Sequence, residues 1–189
     1  NETLAALDIK VLLLNYSDNI RKEFGKQTYQ DEINFIIGNE SRNNFIRNLA
    51  ISATGNTLVL YQRVDAHGKP LYDLINNKVE QGRKVFFVVE KQSNAIIVAS
   101  LGTFSTGINI RNLHNIIFAS PSKSQIKVLQ SIGRGLRQSD NGVTTKLFDV
   151  ADDLHWGRRN NFTLMHSAER VKMYDKEQFN YEIVKVDLK

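Results

Sequence analysis

Ile116-Ile117-Phe118-Ala119 leads into Gln125-Ile126-Lys127-Val128-Leu129-Gln130-Ser131-Ile132-Gly133-Arg134-Gly135-Leu136-Arg137, and that run is followed by Lys146-Leu147-Phe148-Asp149-Val150. The outer two stretches are short and apolar, as buried strands are, and the spacing between them predicts a helix over about 123–137. A strand, a helix and a second strand in this succession form the unit from which parallel sheets are built. The same rhythm extends in both directions. Strands are expected at 9–14, 57–61, 85–89, 95–99 and 181–186, and helices near 28–38, 41–53, 69–79 and 161–176. In the second of these helices Phe45, Ile46, Leu49, Ala50 and Ala53 share one stripe, with Ser41 as the expected N-cap. Residues 1–189 therefore read as one α/β domain, a mainly parallel sheet with helices on both faces. The first or the last strand is expected to run antiparallel at an edge.

Composition narrows the functional classes. The chain has 189 residues, and its hydrophobic share of 41% is too high for a disordered chain. No apolar run approaches the roughly 18 residues of a membrane helix. The absence of Cys excludes disulfides, thiol nucleophiles and iron–sulfur clusters, and fits a reducing cytosol. His67, His114, His155 and His166 show no ligand spacing, so no metal site is expected. The start, Asn1-Glu2-Thr3, has neither an initiator Met nor a signal segment, and reads as a piece of a longer protein. A net charge of +5 permits nucleic-acid binding without requiring it.

One junction does not fit the pattern. Only about five residues separate the strand ending at Val89 from the one starting near Ala95, whereas a parallel crossover takes about a dozen or more. Either the two strands form an antiparallel hairpin or a helix-bearing segment is missing. Glu90-Lys91-Gln92-Ser93-Asn94 lacks the Gly of a tight hairpin turn, so the expectation is a missing segment near residue 90.

The chemistry concentrates in two places. On a helix, Gln130, Arg134 and Arg137 stand at i, i+4 and i+7, one polar stripe. Two guanidiniums and an amide so placed can grip a phosphate that carries developing charge. Gly133 and Gly135 each cost about 1 kcal/mol of helix propensity, a cost that close approach of a ligand would offset. The second place is the loop after the 95–99 strand, with Ser100, Gly102, Thr103 and Gly107. Ligands of open parallel sheets bind beyond the carboxyl ends of strands, where hydroxyls and amides meet phosphates. A phosphate-wrapping loop is absent: Gly25-Lys26 and Gly68-Lys69 have Ile20 and Arg63 five residues before the Gly, and no hydroxyl follows either Lys. Asp31-Glu32 sits early in a helix, where its acidity suits the helix N-terminus. The chain reads as half of an ATP site.

Gln130–Arg137 resembles motif VI of superfamily 2 helicases, Ile96–Ile110 resembles motif V, and Thr57–Gln62 resembles the motif IV strand. Motifs I to III are missing, so the resemblance is to the second, C-terminal RecA-like motor domain, from about Lys10 onward. It is similar in particular to phage-encoded members that regress forks and migrate branches in recombination and repair. The resemblance implies a RecA-like fold, ATP with Mg2+ held mainly by an N-terminal RecA-like domain of the same chain, and branched or forked DNA as partner. Arg134 and Arg137 would reach the γ-phosphate, with Gln130 positioning that phosphate or the attacking water. Gly107 and Asn109 would lie near the nucleotide, and Ser100, Thr103 and Arg63 on the DNA backbone. Asn109 stands where many relatives have Asp, and Ser100 to Gly107 is one residue longer than the usual spacing. The resemblance further implies a cytoplasmic enzyme, in the host cell if phage-encoded, whose isolated C-terminal part hydrolyses almost no ATP. The other readings are a non-catalytic RecA-like binding module, an RNA helicase, or the motor of a restriction enzyme.

Outside these motifs Trp156 can stack on a base but is read as packing. Arg158-Arg159 fits phosphate tracking and a solvated surface equally, and His166 is read as structural.

Overall fold

A computed structural model describes residues 7–24, 27–87, 94–104, 113–137 and 144–189, with only the backbone course described for Phe104 and 133–137. The strands are β1 (Leu7–Asn15), β2 (Thr57–Tyr61), β3 (Val85–Phe86), β4 (Ile96–Ser100), β5 (Asn115–Phe118), β6 (Thr145–Asp153) and β7 (Asn180–Asp187). The helices are α1 (Asp18–Phe24), α2 (Tyr29–Gly38), α3 (Glu40–Ser52), α4 (Lys69–Lys78), α5 (Leu101–Phe104), α6 (Gln125–Arg137) and α7 (Phe162–Lys176). A π-turn, Val64–Gly68, opens α4. The strands form a single sheet in the order β3-β4-β2-β5-β6-β1-β7, and every pairing is parallel. The expected antiparallel edge is therefore absent. β1 lies inside the sheet between β6 and β7, and α7 is the crossover that lets β7 return parallel.

Alternation along the strands divides the core in two. Leu58, Leu60, Ile97, Ala99, Ile116 and Phe118 face α6 and α7, where Leu129, Ile132, Met173 and Tyr174 meet them. Val59, Tyr61, Ile96, Val98 and Ile117 face α2, α3 and α4, against Ile36, Ile46, Ala50, Leu71 and Ile75. A central strand buried on both faces cannot alternate apolar with polar residues, which is why β2, β4 and β5 read as continuous apolar runs. Each fully buried Leu or Ile contributes about 1.5–3 kcal/mol.

Local chemistry sets the helix ends. Thr28 and Asp31 form a reciprocal capping box at α2. Asn39 serves two helices: its N–H bonds the Ile36 carbonyl at the end of α2, and its Oδ1 accepts the Arg42 N–H at 2.9 Å to start α3. Ser41, the expected cap, therefore lies inside α3. One residue between two helices leaves a single capping position, and the Asn occupies it. Gly68 closes the π-turn over the Tyr61 ring, where a Cβ would stand 2.5–2.7 Å from ring carbons. β3 and β4 pair in parallel, Val85 with Ile96 and Phe86 with Ile97, which overturns the hairpin alternative for this junction.

Candidate nucleotide and nucleic-acid site

Because all strands are parallel, their carboxyl ends share one edge. That edge carries Tyr16 after β1, Gln62 and Arg63 after β2, Ser100 at the end of β4, Ser120 after β5, and Asp153 at the end of β6. Ser100 Oγ accepts the Thr103 N–H at 3.1 Å and lies 2.7 Å from Thr103 Oγ1, so the two hydroxyls form one pair at the start of α5. Arg63 occupies the same edge, where its Nη1 donates to Asn34 Oδ1 at 2.8 Å. Gly107 and Asn109 lie outside the described residues. Gly102 is exposed at this edge.

Gln130, Arg134 and Arg137 all fall on α6, so the helical stripe read from their spacing is present in the backbone. The helix starts at the carboxyl edge, where Gln125 Nε2 donates to the Ser120 carbonyl at 2.5 Å. It then runs back toward the amino end of the sheet, where β6 begins. At a rise of about 1.5 Å per residue, Arg134 lies about 13 Å and Arg137 about 18 Å along the helix from Gln125. The structure thus groups Ser100, Thr103 and Arg63 at one edge and carries the two arginines toward the other. Among the described candidates, the DNA residues lie at one edge, while the helix bearing Arg134 and Arg137 ends toward the other.

Beneath the carboxyl edge lies a buried polar layer that sequence reasoning did not find. Arg42 donates Nε and Nη2 to the two oxygens of Asp152, at 2.7 and 3.1 Å, and Nη1 to the Ala119 carbonyl. Tyr16 donates to the same carboxylate at 2.7 Å. Burial is the largest influence and lowers the Arg42 pKa, but the Asp152 and Tyr16 charges and hydrogen bonds together outweigh it, and the guanidinium is held above its usual range. Burial and then the Asp152 charge push the Tyr16 hydroxyl well above its ordinary value. On the opposite face of β6, Asp149 takes Arg170 at 2.9 and 2.8 Å and the Tyr174 hydroxyl at 2.6 Å.

His67 completes this layer. Its Nδ1 lies 2.6 Å from Ser120 Oγ and its Nε2 lies 2.9 Å from Asn43 Oδ1. The Asn43 amide donates to the Ile37 carbonyl, so its oxygen must accept, and the His67 proton sits on Nε2. Ser120 then donates to Nδ1 while accepting the Gln62 N–H at 3.1 Å. Burial, reinforced by the Arg42 charge, lowers the His67 pKa to about 3 and keeps the ring neutral. This chain of donors fixes the backbone immediately before Arg63. A signal was present in the sequence only as isolated polar residues far apart, because pairs such as Arg42 and Asp152 are created by the sheet.

Glu32 belongs to this edge as well. Asn161, at the N-cap of α7, spends its Oδ1 on the Leu154 N–H and makes no cap bond to its own helix. Glu32 of α2 supplies the missing acceptor, taking the Phe162 N–H at 3.1 Å and the Thr163 N–H at 2.6 Å. Its acidity serves a helix N-terminus, but that of α7 rather than of α2. Nearby, His166 packs edge-on to Tyr29, and burial followed by the Lys123 charge lowers its pKa. Trp156 is 40% exposed, contrary to the packing reading, because it projects from a tight turn beyond β6. No helix among the described residues is long and apolar enough to cross a membrane.

An all-parallel sheet layered by helices on both faces defines the class as a RecA-like α/β domain. Within that class the chain is similar to the ATP-dependent DNA helicase uvsW of Enterobacteria phage T4. The two are 34% identical over 210 residues, a match that takes in 96% of this chain and 41% of the phage protein, in its C-terminal part. The crystal structure of T4 UvsW superposes with a TM-score of 0.85 at 32% identity, covering 99% of this chain and 43% of that one. The chain thus spans less than half the length of these relatives. The ATP-dependent Type ISP restriction-modification enzyme LlaBIII bound to DNA matches at TM-score 0.53 and 15% identity, over 97% of this chain and 16% of that chain, a likeness of fold alone. No family model matches the chain.

Proposed function

We propose that this chain is the C-terminal motor domain of an ATP-dependent DNA helicase or translocase that unwinds or remodels branched DNA. The observation that carries the reading is the stripe Gln130, Arg134 and Arg137 on one helix of a domain similar to UvsW over nearly its whole length. Arg134 and Arg137 contact the γ-phosphate of ATP across the cleft to an N-terminal RecA-like domain, and Gln130 orients the phosphate or the attacking water. Gly107 and Asn109 lie beside the nucleotide. Ser100, Thr103 and Arg63 grip the DNA backbone, through phosphates rather than base edges.

Among the described residues no three His, Asp or Glu side chains converge as metal ligands. Mg2+ would be held mainly by the N-terminal domain, where it would supply positive charge to offset that of the phosphates. ATP closes the cleft and hydrolysis reopens it, shifting this domain's hold on the backbone with each cycle. Such an enzyme works in the cytoplasm, that of the host cell if it is phage-encoded.

The natural chain also carries a longer connection between β3 and β4. Two parallel neighbours are joined here by residues 87–95 alone, fewer than the dozen or so that a crossover takes. The alignment with the phage protein is 210 residues long although this chain has 189, so one of the two carries residues without a counterpart in the other. The mass of the native protein tests this point.

In the full-length protein, Arg137→Ala should lower DNA-stimulated ATP turnover by about a thousandfold while leaving DNA affinity largely intact. Unchanged turnover would remove the arginine assignment and favour a non-catalytic binding module. The 189-residue chain alone should show almost no DNA-stimulated ATPase; robust activity would contradict the half-site reading.

A further inference from the structure

Beyond the carboxyl end of β6 the chain makes a short excursion, Leu154 to Asn161, closed at its base by one side chain. Asn161 accepts the Leu154 N–H at 2.9 Å and donates to the Asp152 carbonyl at 3.0 Å. Above this clip Trp156 and Arg159 exchange both backbone hydrogen bonds, each at 3.1 Å, around Gly157 and Arg158. Gly157 has φ +61° and Arg158 a negative φ, the pattern of a type II′ two-residue hairpin. Side chains of such a hydrogen-bonded pair lie on one face of the ribbon, with Cα atoms about 5.5 Å apart. The turn therefore places Trp156 and Arg159 on one face of the ribbon, with Arg158 at the tip.

Residues 156–160 are all exposed, and Trp156, the chain's single Trp, keeps 40% of its surface in water. No acidic residue occurs in 154–161, and none of the ion pairs among the described residues includes Arg158 or Arg159. Glu32, which lines one cavity with Arg158 and Arg159, is engaged at the start of α7, and Asp153 is engaged with His155. The hairpin stands on the same edge as Ser100 and Arg63. From β4 it is three strand spacings away, about 14 Å. One rigid aromatic face flanked by two uncompensated guanidiniums matches an unpaired base and its adjoining phosphates, since every base has a π-face and the cations track the backbone. A protein-docking surface would instead present a contiguous apolar core.

We propose that the Trp156–Arg159 hairpin is a base-stacking contact for single-stranded DNA at this edge. Trp156 stacks on an unpaired base while Arg158 and Arg159 hold the flanking phosphates. The inference rests on the DNA-binding reading above and adds to it a contact with the bases, made by residues outside the three motifs.

Because Trp156 is the only Trp, the emission of the 189-residue chain reports this contact directly. At low salt, titration with an oligothymidylate should quench the emission by about half or more. An abasic oligonucleotide of equal length should bind with similar salt sensitivity but leave the emission nearly unchanged. With the oligothymidylate carrying a dye, anisotropy should show Trp156→Ala weakening binding about tenfold and Trp156→Phe much less. Binding without a change in Trp emission, equal quenching by the abasic strand, or a Trp156→Ala chain that binds like the parent would each overturn the stacking contact. The DNA reading would survive those results, and a protein-docking role would be left for the hairpin. Failure of both oligonucleotides to bind would overturn the DNA reading together with the stacking contact.

Discussion

Arg42 and Asp152 form a two-pronged ion pair between α3 and β6, with side chains 0% and 1% exposed. The pair is desolvated, and Tyr16 and the Ala119 carbonyl add a hydrogen bond to each partner. Removing one partner leaves the other charge buried without compensation. Arg42→Ala should therefore destabilise the domain by about 3–5 kcal/mol, measured as a lower urea midpoint at unchanged slope. A loss below about 1 kcal/mol would mean that water reaches Asp152 in the folded state.

His67 gives the domain an acid-sensitive limb. Its folded pKa of about 3 lies below the ordinary value of 6.5, so between these limits the unfolded chain binds the extra proton. The stability tied to the neutral ring is fully present above pH 6.5 and is lost as the pH falls, by about 1.4 kcal/mol per unit, until it levels near pH 3. Melting temperatures recorded from pH 7 to pH 4 should fall more steeply for the native chain than for His67→Gln. Parallel curves would show that His67 does not set this limb.

The separation of the two candidate contact sets makes their effects separable. In the full-length protein Thr103→Ala, which removes one hydroxyl at the carboxyl edge, should weaken DNA binding by about fivefold. Turnover at saturating DNA should stay near its original level. Arg134→Ala should show the reverse pattern, lost turnover with DNA affinity retained. Equal losses of both properties in either variant would argue against two separable contact sets.

Glu32 caps α7 from another helix, so its loss should act at a distance along the chain. Glu32→Ala should cost about 1–2 kcal/mol. Amide exchange should accelerate at Phe162 and Thr163, the two groups it accepts from. Exchange that rises only within α2 would contradict the cap.

Much of this architecture was legible before any coordinates. Strands and helices fell close to their observed bounds because β2, β4 and β5 are buried on both faces and carry unbroken apolar runs. The stripe of Gln130, Arg134 and Arg137 was legible for a similar reason: a helical period of 3.6 is a local property. Three short elements escaped, α1, α5 and the π-turn at Val64–Gly68, because fewer than two turns leave no periodicity to detect.

What residue order alone determined is the local part: which segments become strands or helices, and which side chains share a helix face. These follow from backbone sterics and from burial patterns of period 2 and 3.6. Only the tertiary structure decided the direction of every strand, the interior place of β1, and the partnership of Arg42 with Asp152 and of Glu32 with α7. It also raised Trp156 out of the core on a clipped turn. Each of these depends on which groups the sheet brings within hydrogen-bond reach after folding. Desolvation then makes such contacts strong, between residues more than a hundred positions apart in the chain.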